Sequence, residues 1–188
     1  MTRQLTDLEL LARYWVGKYA STVHREPDAN HPPLIAVVGA EADAMGTADA
    51  FGDTAHTNMA FLAGYLGYPC DAAYMATVWE HTIESGRAVL TWAHCIPTRE
   101  TQVLSLAWQG HGWKPYDLTA HYSENPAEFT AIEYAAHDFE QFPPHPESQS
   151  MRAVARDMVK RDNGNGFQAE VLASGTLLAR ARNWTPVR

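Results

Sequence analysis

The run VLSLAWQGHGWKPYDLTAHY, residues 103–122, closes the stretch from Asp53 to Tyr122 that decides the fold of this 188-residue chain. Leu104, Leu106 and Trp108 alternate with Val103, Ser105, Ala107 and Gln109, the period of two that gives a strand one apolar face. Gly110-His111-Gly112 then supplies a turn with the positive φ angles that only glycine adopts cheaply. On the return, Tyr116, Leu118, Ala120 and Tyr122 alternate with Asp117, Thr119 and His121. With three residues in the turn, Leu106 faces Tyr116 and Leu104 faces Leu118, so one face of the hairpin is apolar. Pro115 has no N–H to give, which puts the turn end of the return strand at a sheet edge.

Working backwards, Asp71 to Ile83 fits two periods. The β-branched residues Thr77, Val78, Thr82 and Ile83 favour a strand, and the apolar character of both alternating sets suits one buried on both faces. Ala88 to Ile96 reads as a further strand or a long insertion leading into Pro97. Before these, Asp53 caps a helix whose stripe is Ala55, Met59, Leu62 and Leu66, and Gly67 and Pro69 end it.

A helix, an Ala-rich strand carrying a Trp, a Pro-x-Arg loop and an apolar hairpin together resemble a group of small uncharacterised α+β proteins common in actinobacterial and phage genomes. The residues that carry the likeness are Phe61 to Leu66, Ala72 to Trp79, Pro97-Thr98-Arg99 and Val103 to Trp108. In that group acidic residues often stand two before the Trp and two after the Arg; here Thr77 and Thr101 occupy those places. The resemblance implies a fold and a mobile-element origin. It implies no activity.

Outward from this centre, Leu5 to Ala20 reads as a helix capped by Thr6 or Asp7, with Leu8, Leu11, Tyr14 or Trp15, and Lys18 roughly in register. Ser21 to Pro33 is a polar loop, and Leu34 to Val38 is a buried strand bounded by proline and glycine. An acidic Ala/Gly-rich segment runs from Gly39 through Gly52. It has neither Gly-x-Gly-x-x-Gly nor Lys-Ser/Thr, so a nucleotide-binding reading fails there. Asn125-Pro126-Ala127-Glu128 opens another helix, and Ser148 to about Arg161 a last one. Phe167 to Trp184 alternates as a strand pair split at Ser174-Gly175, with Arg180 and Arg182 on one face. The expected fold is α+β: a single-layer mixed or mostly antiparallel sheet of five or six strands with helices packed on it, in a single domain over 1–188.

Charge divides the chain. Residues 1–147 carry 7 Lys/Arg against 19 Asp/Glu, a net −12, whereas 148–188 carry 7 against 3, a net +4. A field this acidic repels phosphate, so nucleic acid is not an expected partner. Arg152, Arg156 and Lys160 fall four apart on one helical stripe, joined by Arg161. They are the candidate contact for an acidic protein surface, within the chain itself, on a second copy or on a partner. No apolar run suits a membrane span and Thr2 to Asp7 is polar, so the expectation is a cytoplasmic protein with no membrane partner, in which Cys70 and Cys95 are reduced thiols.

No stretch carries a catalytic or cofactor motif, and no cofactor is expected. The first functional reading is therefore a non-catalytic binding or interaction protein. The alternative is a metal-assisted hydrolase that gathers dispersed ligands, His94, His111 and His121 near the hairpin or His56 with Asp53. Other groupings (His24, Glu26, Asp28 and His31 in the first loop; Glu133, His137 and Glu140 on one helix) read more simply as solvated polar segments. His94 and Cys95 are adjacent in a strand, point to opposite faces, and so cannot form a dyad together.

Overall fold

The computed structural model describes residues 3–40, 42–48, 72–117 and 167–186. The expected helices behind Asp53, from Asn125 and from Ser148 lie outside these residues, as do Cys70, His121, Arg152, Arg156, Lys160 and Arg161.

The described elements are helix α1 (Asp7–Arg25), strands β1 (Leu34–Gly39), β2 (Ala42–Ala48), β3 (Ala72–Ile83), β4 (Gly86–Cys95), β5 (Thr101–Gln109), β6 (Gly112–Pro115) and β7 (Phe167–Ala173), and helix α2 (Thr176–Asn183). The seven strands form one sheet in the order β6-β5-β4-β3-β1-β2-β7, antiparallel at every pairing. The fold class is the α+β sheet that the sequence predicts, with more strands than the five or six expected.

The extra strand is β2. Its sequence, ADAMGTA, has almost no β propensity; pairing with β1 on one side and β7 on the other makes it a strand. Within the expected segment, Ala72–Ile83 is indeed a strand, and Met75, Thr77 on one face and Ala76, Val78 on the other are all buried. Its neighbours β1 and β4 are buried on both faces too.

α1 packs over β3, β4 and β5. Thr6 caps it with a full capping box: its hydroxyl accepts from the Glu9 N–H at 3.2 Å, and Glu9 accepts from the Thr6 N–H at 2.8 Å. The buried stripe runs Leu8, Leu11, Ala12, Trp15, Tyr19 and Val23; Lys18, expected near the stripe, is exposed. The helix continues five residues beyond Ala20 because Val23 still reaches the core and Ser21 and Thr22 bond back to the carbonyls of Gly17 and Lys18, at 2.8 and 3.2 Å. Under α1 lie Ala36, Val38, Ala76, Val78, Val89, Ala93 and Cys95. Leu90, Trp92, Ala88 and Ala107 occupy the opposite sheet face. His94 and Cys95 therefore do point to opposite faces, and Cys95 is a buried free thiol.

Two expectations change. The hairpin turns on two residues, Gly110 and His111, since Gln109 pairs with Gly112 and Trp108 with Trp113. Gly110 alone takes a positive φ, 65°, the glycine-first pattern that matches the twist of a tight hairpin. Gly112 is thus already strand, and every partner shifts by one. Leu106 opposes Pro115 and sits beneath α1, while Tyr116 opposes Ser105 and packs on the other face. A one-residue slip exchanges the two faces of the return strand. β6, with Pro115, is an edge strand of the sheet.

The second change is at the C-terminus. Only Phe167–Ala173 is a strand; Thr176–Asn183 is a helix. Its spacing is Leu177 to Ala181, both buried, one helical turn apart. Arg180 and Arg182 therefore do not share a face, and Arg182 reaches Asp7 of α1 at 3.0 Å.

The loop after α1 is fastened by Tyr19. Its hydroxyl lies 2.7 Å from the His31 carbonyl and 2.9 Å from that of Pro32. Burial, reinforced by the Glu80 carboxylate, pushes the phenol well above its ordinary pKa. Glu80 is itself held by the Arg87 fork, Nη2 to Oε2 at 2.9 Å and Nε to Oε1, and Arg87 also donates to the Pro27 carbonyl at 2.8 Å.

These contacts set an alkaline limit. Unfolded Tyr19 ionises near its ordinary pKa of about 10, whereas the native phenol stays protonated, so above that pH the unfolded chain binds fewer protons and stability falls. The stabilisation is complete below about pH 10 and is lost with a limiting slope of about 1.4 kcal/mol per pH unit. Tyr74 shifts the same way, so the contrast is the test. In urea titrations from pH 8 to 11, Tyr19→Phe is expected to start about 1–2 kcal/mol less stable and to fall more shallowly than wild type. Parallel slopes would contradict the assignment.

Candidate functional site

A groove runs along the outer side of α1, with a volume of about 480 Å³. One wall is the helix stripe Arg13, Val16, Gly17, Ala20 and Ser21, whose three- and four-residue spacing puts these side chains in line. The second wall is the sheet edge, where Leu104 and Leu106 of β5 and Trp113 and Pro115 of β6 point toward α1 or border it. The third is the chain after α2, Trp184 and Pro186.

The third wall exists because residue 17 is glycine. A Cβ built there would lie 2.4 and 2.5 Å from two ring carbons of Trp184, closer than atoms can approach. Glycine inside a helix costs about 1 kcal/mol against alanine. Here it lets the indole lie on the helix, with Tyr14 edge-on at 6.3 Å between ring centres. At the other end, Trp113 meets Trp108 edge-on at 5.6 Å, and Trp108 stacks on His24 of α1 at 4.5 Å and 23°. The aromatic contacts brace the groove at both ends.

Chemically the lining is inert. The Ser21 hydroxyl donates to the Gly17 carbonyl, and that of Ser105 to the Tyr116 carbonyl. Among the described residues no histidine, cysteine or carboxylate lines the groove, and Arg13 is the one charged residue in its lining. Glu9, one turn back on α1, is already engaged: Oε1 with Arg3 at 3.0 Å and Oε2 with the Thr6 N–H. The Thr6 N–H is the main reason the Glu9 carboxyl is held below its usual range; Arg13 adds only to the surrounding field. Among the described residues Arg13 forms no ion pair.

His56, Asp53, His121 and the basic stripe lie outside the described residues, and the described ones among the residues singled out from sequence do not meet here. His94 is buried and pairs with Thr101 at the start of β5, while His111 is exposed in the turn beyond its end. Strand rise sets these two ends roughly 25–30 Å apart. In the first loop, His31 Nε2 lies 2.7 Å from the Glu26 carbonyl and His24 is the residue stacked on Trp108. Among the described residues no three His, Cys, Asp or Glu side chains are grouped to hold a metal. No described helix is long and apolar enough to cross a membrane.

Comparison with protein-family models, with curated proteins and with solved structures finds no match. The groove must speak for itself. Sequence reasoning missed it, because its walls are drawn from residues 13–21, 104–115 and 184–186; a glycine in the middle of an amphipathic helix is the one local signal.

The glycine gives a sign-reversing test. In the wild-type background Gly17→Ala is expected to destabilise by about 1–2 kcal/mol, since displacing the indole outweighs the gain in helix propensity. In a Trp184→Ala background the same change should stabilise by about 0.5–1 kcal/mol. Chemical denaturation of the four proteins measures both. Destabilisation of equal size in both backgrounds would show that Trp184 does not require the glycine.

Proposed function

We propose that this chain is a non-catalytic binding protein whose working surface is the groove between α1, the β5–β6 edge and Trp184. The observation that carries this reading is the lining. Three separate elements converge on an apolar concavity of about 480 Å³, within the size range of ligand sites; the Ser21 hydroxyl at its wall is occupied by a backbone carbonyl, and Ser105 turns its hydroxyl to the other face of the sheet. Such a wall can hold an apolar group and exclude water. It offers no nucleophile–base pair.

Trp113 and Trp184 stand in the wall, so occupancy is expected to change tryptophan fluorescence. The native protein should bind 8-anilinonaphthalene-1-sulfonate at about one site per chain. Leu106→Gln and Trp184→Ala should each weaken that binding at least about fivefold while unfolding stays cooperative. Absence of dye binding by the cooperatively folded protein, or unchanged binding by both variants, overturns the groove as working surface. Stoichiometric zinc, manganese or iron after tag-free purification would instead support the metal-assisted hydrolase.

The basic segment extends the same reading. Arg152, Arg156, Lys160 and Arg161 are proposed to meet an acidic protein surface, within the chain itself, on a second copy or on a partner, and to leave nucleic acid alone. Supporting this is the opposition of −12 in residues 1–147 to +4 in 148–188. Replacing Arg152, Arg156 and Lys160 together with glutamate should weaken self-association or partner capture, with a loss that shrinks as salt rises. Light scattering and gel-shift titration check it. Micromolar binding of DNA or RNA at about 0.15 M salt, abolished by the triple variant, would sink the protein-surface reading.

A further inference from the structure

We infer that the groove takes a small amphiphilic anion, an aliphatic carboxylate whose chain lies between Leu106, Trp113 and Trp184 and whose carboxylate meets Arg13. The inference rests on the groove being a binding surface and adds the chemical class of its occupant.

Three observations lead to it. The first is capacity. A volume of about 480 Å³ holds on the order of fifteen non-hydrogen atoms, gauged by the ~30 Å³ that a water molecule occupies. That is a single small molecule. It is too little space for a folded partner element such as a helix, which is about 10 Å across with its side chains.

The second is the wall. Val16, Leu104, Leu106 and Trp113 are apolar, the Ser21 hydroxyl has already spent its proton on the Gly17 carbonyl, and Ser105 turns its side chain to the other face of the sheet. A polar ligand body would lose its water and gain little in exchange. An alkyl chain loses nothing.

The third is Arg13. In a chain of net charge −8, a guanidinium without an ion-pair partner among the described residues stands beside this apolar space. Glu9, the carboxylate four residues before it, has both oxygens occupied by Arg3 and by the Thr6 N–H. Among the described residues Arg13 thus stands outside any ion pair, and its planar fork matches a carboxylate in two parallel hydrogen bonds. A cationic amphiphile would be repelled at the same point, and a neutral one would leave the guanidinium unused.

The experiment compares dodecanoate, dodecanol and dodecyltrimethylammonium, each below the concentration at which it aggregates, by displacement of the bound dye and by calorimetry. Wild type is expected to prefer dodecanoate to dodecanol by about three- to tenfold, with the preference shrinking at high salt. Arg13→Gln should bring dodecanoate binding down to that of dodecanol in the same variant, and Arg13→Lys should restore the preference in part. Arg13 is exposed, and circular dichroism with thermal unfolding verifies that each variant is folded. Equal binding of dodecanoate and dodecanol by wild type, or an undiminished preference in Arg13→Gln, overturns the carboxylate assignment and leaves the groove reading standing. Dye binding without dodecanoate binding has the same meaning. Failure of the dye and of all three amphiphiles to bind brings down both.

Discussion

A single buried carboxylate joins the two ends of the described sheet-and-helix unit. Asp43 is fully enclosed in β2, and its Oδ2 accepts the Leu177 N–H at 2.7 Å across 134 residues of sequence. Leu177 is in the first turn of α2, where backbone N–H groups have no partner within the helix. The residue at the cap position, Gly175, has no side chain to serve them and sits at φ 76°. A distant aspartate does the work of a local cap. Burying a polar group is costly unless it is hydrogen-bonded, and the N–H groups at a helix start, which have no partner within the helix, are ready donors to it. The energy of that bond thus fixes where α2 begins, and with it the position of Trp184 just beyond the helix end.

From that position the groove follows. α2 buries Leu177 and Ala181 against the same core as α1, and Arg182 reaches Asp7 near the start of α1. The exposed ion pair contributes little by itself, about 0–1 kcal/mol. Orientation comes from the Asp43 bond at one end of α2 and from the indole in the space above Gly17 at the other. α1 therefore works on two sides. Leu8, Leu11, Trp15 and Val23 hold it to the sheet, and a neighbouring stripe through Arg13, Gly17 and Ser21 is left to form a wall. Gly17 costs helix propensity that the packing of the indole offsets.

How much of this could be read in advance depends on where the cause lies. β1, β3 and β4 were legible because their own Val, Ile and Thr residues carry the signal, as was the start of α1, where Thr6 and Glu9 form a box visible in four residues. β2 was illegible. Ala42 to Ala48 is a strand because β1 and β7 flank it, and no local pattern encodes a neighbour that arrives from residue 167. The hairpin was right in kind and wrong by one residue, since Gly110 and Gly112 both suit a turn and only the backbone shows which one needs a positive φ. In the last segment Leu178, Arg180 and Arg182 alternate like a strand, and the helix wins through Asp43, a tertiary contact. The site failed to show for the same reason: Arg13, Leu106 and Trp184 mean nothing together until the chain is folded.

The sheet edge beside the groove constrains how anything could be held there. An exposed strand edge invites another strand to pair with it, and proteins blunt that tendency with short edges, charge and proline. β6 has only four residues, includes Lys114, and ends in Pro115, which has no N–H. Pro115 also borders the groove itself. An extended peptide laid along this wall would find the hydrogen-bond ladder broken at that point, so backbone pairing of the kind that drives strand addition is weak here. Side chains are what the wall presents instead: Leu104, Leu106 and Trp113 from the sheet, Val16 from the helix, and one guanidinium. Recognition built from apolar contact and a single charge selects for shape and sign, and is indifferent to main-chain pattern. A groove that discourages strands and has, among the described residues, one cation outside any ion pair suits the proposed small amphiphile better than a polypeptide.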